Sequence, residues 1–181
     1  FSLERVGKSG SRFDPEKAKW FNHQYLQKRS NNLLAMEFRE FLREKGFHID
    51  LFRLEILVGL VKERVSFVKD FWAQTDFFFK APEEYDQEVM RKRWQENTGT
   101  ILEELKGVLK GLEDFSPQSA EQAVKSWIES RGYNMGAVMN PFRLVIVGSM
   151  RGPHMFDIIS WIGKAETIAR IEKGLALTGK K

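Results

Sequence analysis

Three histidines, His23, His48 and His154, are the first residues to test for chemistry, because imidazole is the commonest proton shuttle and metal ligand. They are far apart in the chain, and no two of them share ligand spacing. Each reads as an ordinary surface or packing histidine. There is no cysteine, which excludes thiolate metal sites, Fe–S clusters, disulfide scaffolds and a cysteine nucleophile. The run Gly148-Ser149-Met150-Arg151-Gly152 has the glycine content of a phosphate loop but lacks the Lys-Ser/Thr ending. It also fails the Gly-x-Ser-x-Gly elbow of a serine hydrolase. The carboxylate pairs Glu83-Glu84 and Glu103-Glu104 are adjacent, so on a helix they would point about 100° apart and read as solvated faces. No catalytic centre and no metal site emerge, and the residue types favour a binding module over an enzyme active site.

Charge and aromatic content narrow the kind of binding. The 29 Lys and Arg against 25 Asp and Glu leave a net charge of +4, a mild excess that is compatible with nucleic acid without requiring it. Phe77-Phe78-Phe79 is a candidate base-stacking platform. Such platforms interleave aromatics with basic residues, however, so the plainer reading is packing between domains. No apolar run approaches the roughly 20 residues of a membrane span, and the first residues do not have the pattern of a signal peptide.

The elements that must carry these residues are helical. Leu51, Leu54, Leu57, Val58, Val61, Val65 and Val68 recur at steps of three and four, which predicts one amphipathic helix through that stretch. The same spacing joins Ile101, Leu102, Leu105, Val108, Leu109 and Leu112. It appears again at Ile158, Ile159 and Ile162, and at Ile168, Ile171 and Leu175. Asp14-Pro15 and Ser116-Pro117 each place a capping side chain before a proline at the first helical position, and Asp50 is placed to cap a helix starting at Leu51. Gly46, Gly132 and Gly163 each follow a helical pattern and suit a left-handed ending. Phe142–Val147 has the β-branched content of a strand but no partner strand, and is read as a buried helical segment. A chain of 181 residues is one domain or two small ones. Gln74–Tyr85, with its aromatic run, Pro82 and acidic pair, is the expected boundary. Thr178–Lys181 is expected to fray.

Two segments carry a family resemblance. The first is Glu4-Arg5-Val6-Gly7-Lys8-Ser9 followed by Phe13-Asp14-Pro15 and Lys17, Trp20, Asn22, Tyr25 and Leu26. The second is Pro141-Phe142-Arg143-Leu144-Val145-Ile146-Val147-Gly148-Ser149, then Gly152-Pro153-His154-Met155-Phe156-Asp157, then Gly163-Lys164-Ala165-Glu166. In this order they resemble the C-terminal part of the bacterial glutamyl-tRNA synthetases, class I aminoacyl-tRNA synthetases. The chain departs from the family pattern at His23, where glycine is frequent, and in the bulkier apolar run Leu144–Val147. The resemblance implies an all-α fold: the end of a stem-contact fold over residues 1–28, a helical anticodon-binding subdomain over 29–80, and a second over 81–181. It implies the tRNA anticodon-binding region of a glutamate–tRNA ligase, an enzyme of translation in the cytoplasm that binds ATP and Mg²⁺. This fragment is expected to hold no cofactor and no active site of its own. The expected partner is the anticodon stem-loop of glutamate tRNA, with no membrane, no DNA and a monomeric state.

The resemblance also implies roles. Arg64 matches the arginine that meets the third anticodon base at a turn between two helices. Arg143, Gly152, Pro153 and Met155 match the group that meets the other two bases. Arg143 is read as the start of the helical segment that follows, where a cation gains nothing from the helix dipole. Lys62, Arg91, Lys92 and Arg93 are candidates for phosphate contact, with a solvated helix face as the competing reading for the last three. Two competitors remain. One is a relaxed-specificity relative that also charges glutamine tRNA. The other is a helical protein-interaction module, whose binding would lack the steep salt dependence of phosphate contact. The purified chain is expected to give no ATP–pyrophosphate exchange with glutamate above a mock preparation.

Overall fold

The computed structural model describes residues 14–178. The Glu4–Ser9 segment and Phe13 lie outside the described residues, as does the tail after Thr178. Among the described residues every regular element is helical, as the periodicity predicts. In chain order these are α1 (Pro15–Lys28), α2 (Asn31–Glu44), α3 (Leu51–Val61), a 3-10 turn (Lys62–Arg64), α4 (Asp70–Phe79), α5 (Gln87–Arg93), α6 (Thr98–Lys110), α7 (Pro117–Arg131), α8 (Met135–Val147), α9 (Met155–Ile162) and α10 (Lys164–Thr178). They divide into two compact units, one ending at Phe71 and one starting at Trp72. The expected boundary segment behaves differently: Gln74–Phe79 continues α4, so no linker begins before Lys80.

In the first unit the expected caps are in place. The Asp14 carboxylate accepts from the backbone N–H of Glu16 at 3.0 Å and of Lys17 at 3.2 Å. Asp50 does the same for Phe52 and Arg53 at the head of α3. These bonds satisfy N–H groups that the first helical turn leaves orphaned. Helices α2 and α3 pack through Leu34, Ala35, Phe38 and Leu42 against Leu54, Leu57, Val58 and Val61. The helix expected to run to Val68 instead ends at Val61. Side chains of α1 draw the backbone out of helix there: Gln27 donates to the Lys62 carbonyl at 2.8 Å, and His23 Nδ1 donates to the Val65 carbonyl at 2.8 Å. Val65 is still buried, in extended backbone. Burial alone therefore kept the helical spacing alive past the helix end.

The second unit is built on α8, which packs against α5, α6, α7 and α10. Its Phe142 and the four consecutive residues Leu144–Val147 are all buried. A helix apolar on every side belongs inside a core, and the helical reading of Phe142–Val147 is borne out. Its start is not where the sequence suggested. Asn134 caps it, accepting from Gly136 N at 2.9 Å, and Pro141 lies inside the helix. Arg143 is therefore well inside the helix and not at its head. The apolar run Leu144–Val147 showed only the buried half of the helix, whose first half, Met135–Asn140, is more polar and only partly buried. Of the Phe77–Phe79 run, Phe78 and Phe79 meet Trp161 edge-on within the second unit, at 5.3 and 5.5 Å between centroids.

Helices α8 and α10 touch at Gly174, where a Cβ would lie 2.4 Å from Val145 Cγ1 and 2.8 Å from Val145 Cβ. No side chain fits unless the helices part. Alanine favours a helix over glycine by about 1 kcal/mol, yet Gly174→Ala is expected to lower stability, by about 1–3 kcal/mol, the scale of overpacking. Urea unfolding followed by circular dichroism measures it.

Candidate nucleic-acid interface

The segment between α8 and α9 is a turn that other parts of the second unit hold from two sides. α8 ends at Gly148 in left-handed backbone, φ +83°. A Cβ there would stand 2.8 Å from the Glu84 carbonyl, so only glycine lets the 82–84 strand of loop approach. Gly152 is also left-handed, φ +100°, and its missing side chain leaves room for the Phe77 ring. Arg143 reaches up from α8 and donates through Nη1 to the Arg151 carbonyl and through Nη2 to the Pro153 carbonyl, each at 2.9 Å. Arg151 leans the other way. Its guanidinium donates to the Ala73 carbonyl, pairs with Asp76 at 2.6 Å, and lies 5.3 Å from the centre of the Phe77 ring.

The structure thus brings Arg143, Gly152, Pro153 and Met155 together, as the resemblance implies, but gives them unequal access. Pro153 and Met155 are buried, Gly152 and Arg143 are half-buried, and Met150, Arg151 and His154 are exposed. Arg143 organises the turn, while Arg151 stands at its surface. Arg151 was not among the candidate site residues, although the glycine-rich run Gly148–Gly152 that contains it was.

Arg64 closes the 3-10 turn between α3 and α4 and is exposed. Lys62, in the same turn, is half-buried and its ammonium donates to the Arg29 carbonyl just past the end of α1. That bond serves the fold, so Lys62 is not presented as a surface cation. Arg91, Lys92 and Arg93 are exposed on the last turn of α5, where Lys92 pairs with Glu88 and Arg91 Nε donates to the Gln87 carbonyl at 3.4 Å. Beneath the turn, Arg170 is only 3% exposed and donates to the carbonyls of Phe77 at 2.6 Å and Ile146 at 2.9 Å. An open groove of about 680 Å³ runs beside the turn, between the end of α4, the 80–86 loop and the end of α8. Burial pushes the Tyr85 phenol in its wall above the usual tyrosine range, and Arg170 nearby opposes this.

Among the described residues no group of three or more His, Asp or Glu side chains is placed to hold a metal, and no helix is long and apolar enough to cross a membrane. Glu103 and Glu104 are not merely solvated: Glu103 pairs with Lys106 at 2.7 Å and Glu104 with Arg131 at 3.0 Å. Glu83 and Glu84 are exposed in a non-helical loop.

Residues 17–175 match the family of anticodon binding domains. The chain belongs to that family. Glutamate–tRNA ligase from Flavobacterium johnsoniae is 49% identical over 97% of the chain, and that from Phocaeicola vulgatus 47% identical over 97%. A crystal structure of a glutamate tRNA ligase from Elizabethkingia meningosepticum, in complex with its amino acid, superposes on 97% of the chain with a TM-score of 0.89 at 40% identity. In each case the anticodon-binding domain described here spans 35% of the longer protein. The helical fold of the domain agrees with that of its solved relative.

The two bonds from Arg143 give a test of its part in the domain. Hydrogen bonds made by charged groups contribute about 1.5–3 kcal/mol. Arg143→Met leaves the buried Pro153 carbonyl without its donor and is expected to cost about that much in urea unfolding. Arg143→Lys is expected to retain part of it, since a single ammonium cannot span both carbonyls as the guanidinium fork does.

Proposed function

We propose that this chain is the tRNA anticodon-binding part of a glutamate–tRNA ligase acting in the cytoplasm, and that its partner is the anticodon stem-loop of glutamate tRNA. What carries this reading is the near-complete coverage of the chain by ligases of that name at 47–49% identity. ATP, Mg²⁺ and glutamate serve the chemistry of the ligase as a whole. The part played by this domain is binding.

Anticodon reading needs donors aimed at base edges, a shaped surface for unstacked bases and cations for phosphates. Arg64 meets the third anticodon base in this proposal, from an exposed turn that α1 fixes through His23 and Gln27. The 151–155 turn meets the other two bases. There Arg143 acts as a positioning residue, and Gly152, Pro153 and Met155 supply the shape. Arg91, Lys92 and Arg93 face the phosphate backbone.

A guanidinium presents a planar fork of donors that suits the acceptor edge of a base, and glutamine does not reproduce its charge or fork. In the full-length ligase, Arg64→Gln is therefore expected to relax preference for cytosine at the third anticodon base by about 1–3 kcal/mol. The measurement is the ratio of charging efficiencies for tRNAs differing only at that base. An unchanged ratio with uniformly weaker binding would make Arg64 a phosphate clamp.

Binding of glutamate tRNA by the chain itself is expected to be salt-sensitive. If about 4–6 phosphates are neutralised, moving from 50 to 200 mM salt should weaken binding roughly a hundredfold or more. Salt-independent association would favour the protein-interaction reading.

A further inference from the structure

The short 3-10 turn that carries Arg64 is gripped from outside by one face of α1. His23 and Gln27 stand four positions apart on that helix, so their side chains leave it on the same side. They reach carbonyls at the two ends of the turn: Gln27 Nε2 donates to Lys62 and His23 Nδ1 to Val65, each at 2.8 Å. A carbonyl accepts and does not donate, so Nδ1 carries the proton in the second bond. The Lys62 ammonium returns a bond to the Arg29 carbonyl just past α1. Only Glu63 and Arg64 lie between the two anchored carbonyls, and both are exposed. The turn holds itself less firmly. Its backbone bond from Val65 to the Lys62 carbonyl is long, at 3.3 Å, and Val61 ahead of it supplies no side-chain cap.

We propose that His23, with Gln27 as its companion, is a positioning residue for base preference at the third anticodon position. Neither side chain has to touch the RNA. The guanidinium fork of Arg64 matches a base edge only while the backbone beneath it holds the fork in line. Without the clamp, the turn occupies that position for a fraction of the time, and affinity for the preferred base falls by that fraction. Bases with which Arg64 makes no such contact lose nothing. The proposal rests on the reading that Arg64 meets the third anticodon base, and deepens it by naming what holds Arg64 there.

The test uses the full-length ligase and tRNAs that differ only at the third anticodon base. The readout is the ratio of charging efficiencies, cytosine against each other base. His23→Ala should lower that ratio roughly three- to tenfold, the scale of one lost hydrogen bond. Gln27→Met keeps the length of the side chain without the donor and should lower it similarly. Should His23→Ala prove insoluble, Gln27→Met reads the same clamp from its other end. His23→Asn should retain most of the ratio, because its amide nitrogen stands as many bonds from the backbone as Nδ1. In an Arg64→Gln background, His23→Ala should leave the ratio where it is. A merely structural role would lower charging of all the tRNAs alike and leave every ratio unchanged. An unchanged ratio in His23→Ala or Gln27→Met, an asparagine variant no better than alanine, or a fall that persists beside Arg64→Gln would overturn the positioning role. The reading of Arg64 survives those results if Arg64→Gln alone still lowers the ratio. If Arg64→Gln alone leaves it unchanged, that reading falls and the inference falls with it.

Discussion

A guanidinium withdrawn from water must find acceptors inside the protein, and Arg170 finds them on the carbonyls near the ends of two helices. Its Nη1 donates to Phe77 of α4 and Ile146 of α8, and its Nε to Glu166 one turn earlier on α10. The last carbonyls of a helix have no partner within it and carry the negative end of its dipole. One cation thus answers the unpaired ends of α4 and α8 together and ties both to α10. Removing it would strand buried carbonyls, whereas the Glu166 carboxylate keeps access to water. The neighbouring contacts depend on this junction. Val145 can press on Gly174 only while α8 and α10 stay in register. The Phe77 ring can lie under Gly152 only while the end of α4 is held.

From that junction the constraint passes to the turn. Phe77, anchored through its carbonyl, offers its ring to Arg151 and leaves a gap that fits a glycine at 152 and nothing larger. Arg143 fixes the opposite side of the same turn through two carbonyls. The backbone at 151–153 is therefore held by side chains from α4 and α8, and a turn held in this way has little conformational entropy left to lose.

The helices were legible because their signals are local. Caps at Asp14, Asp50 and Ser116, left-handed glycines at 46, 132 and 163, and the steps of three and four all act within a few residues of one another. What failed depended on distant partners. The end of α3 is set by His23 and Gln27, some 35 to 42 positions away, and no periodicity carries that. Arg143 was read at a helix start because the apolar run begins beside it, whereas the helix begins at the Asn134 cap, nine residues earlier. The site was legible in part for the same reason. Gly152, Pro153 and Arg143 stand within one short motif. The partner of Arg151 at Asp76 and the junction at Arg170 come from segments that only folding brings together.

This also changes what the charge excess means. Arg170, Arg143, Lys62, Lys164 and Lys173 all donate to backbone carbonyls, and in the first four cases other segments of the chain end or turn there. Cations used in this way hold the fold, and the net value of +4 counts them with those that face solvent. Counting lysines and arginines therefore says little about how strongly the surface attracts RNA. Of two arginines eight residues apart, Arg143 is committed to the carbonyls of the turn and Arg151 stands exposed at its edge. Both anchor the turn: Arg143 from within α8 through two carbonyls, and Arg151 from the exposed edge through the Ala73 carbonyl and the Asp76 carboxylate, which offsets its charge.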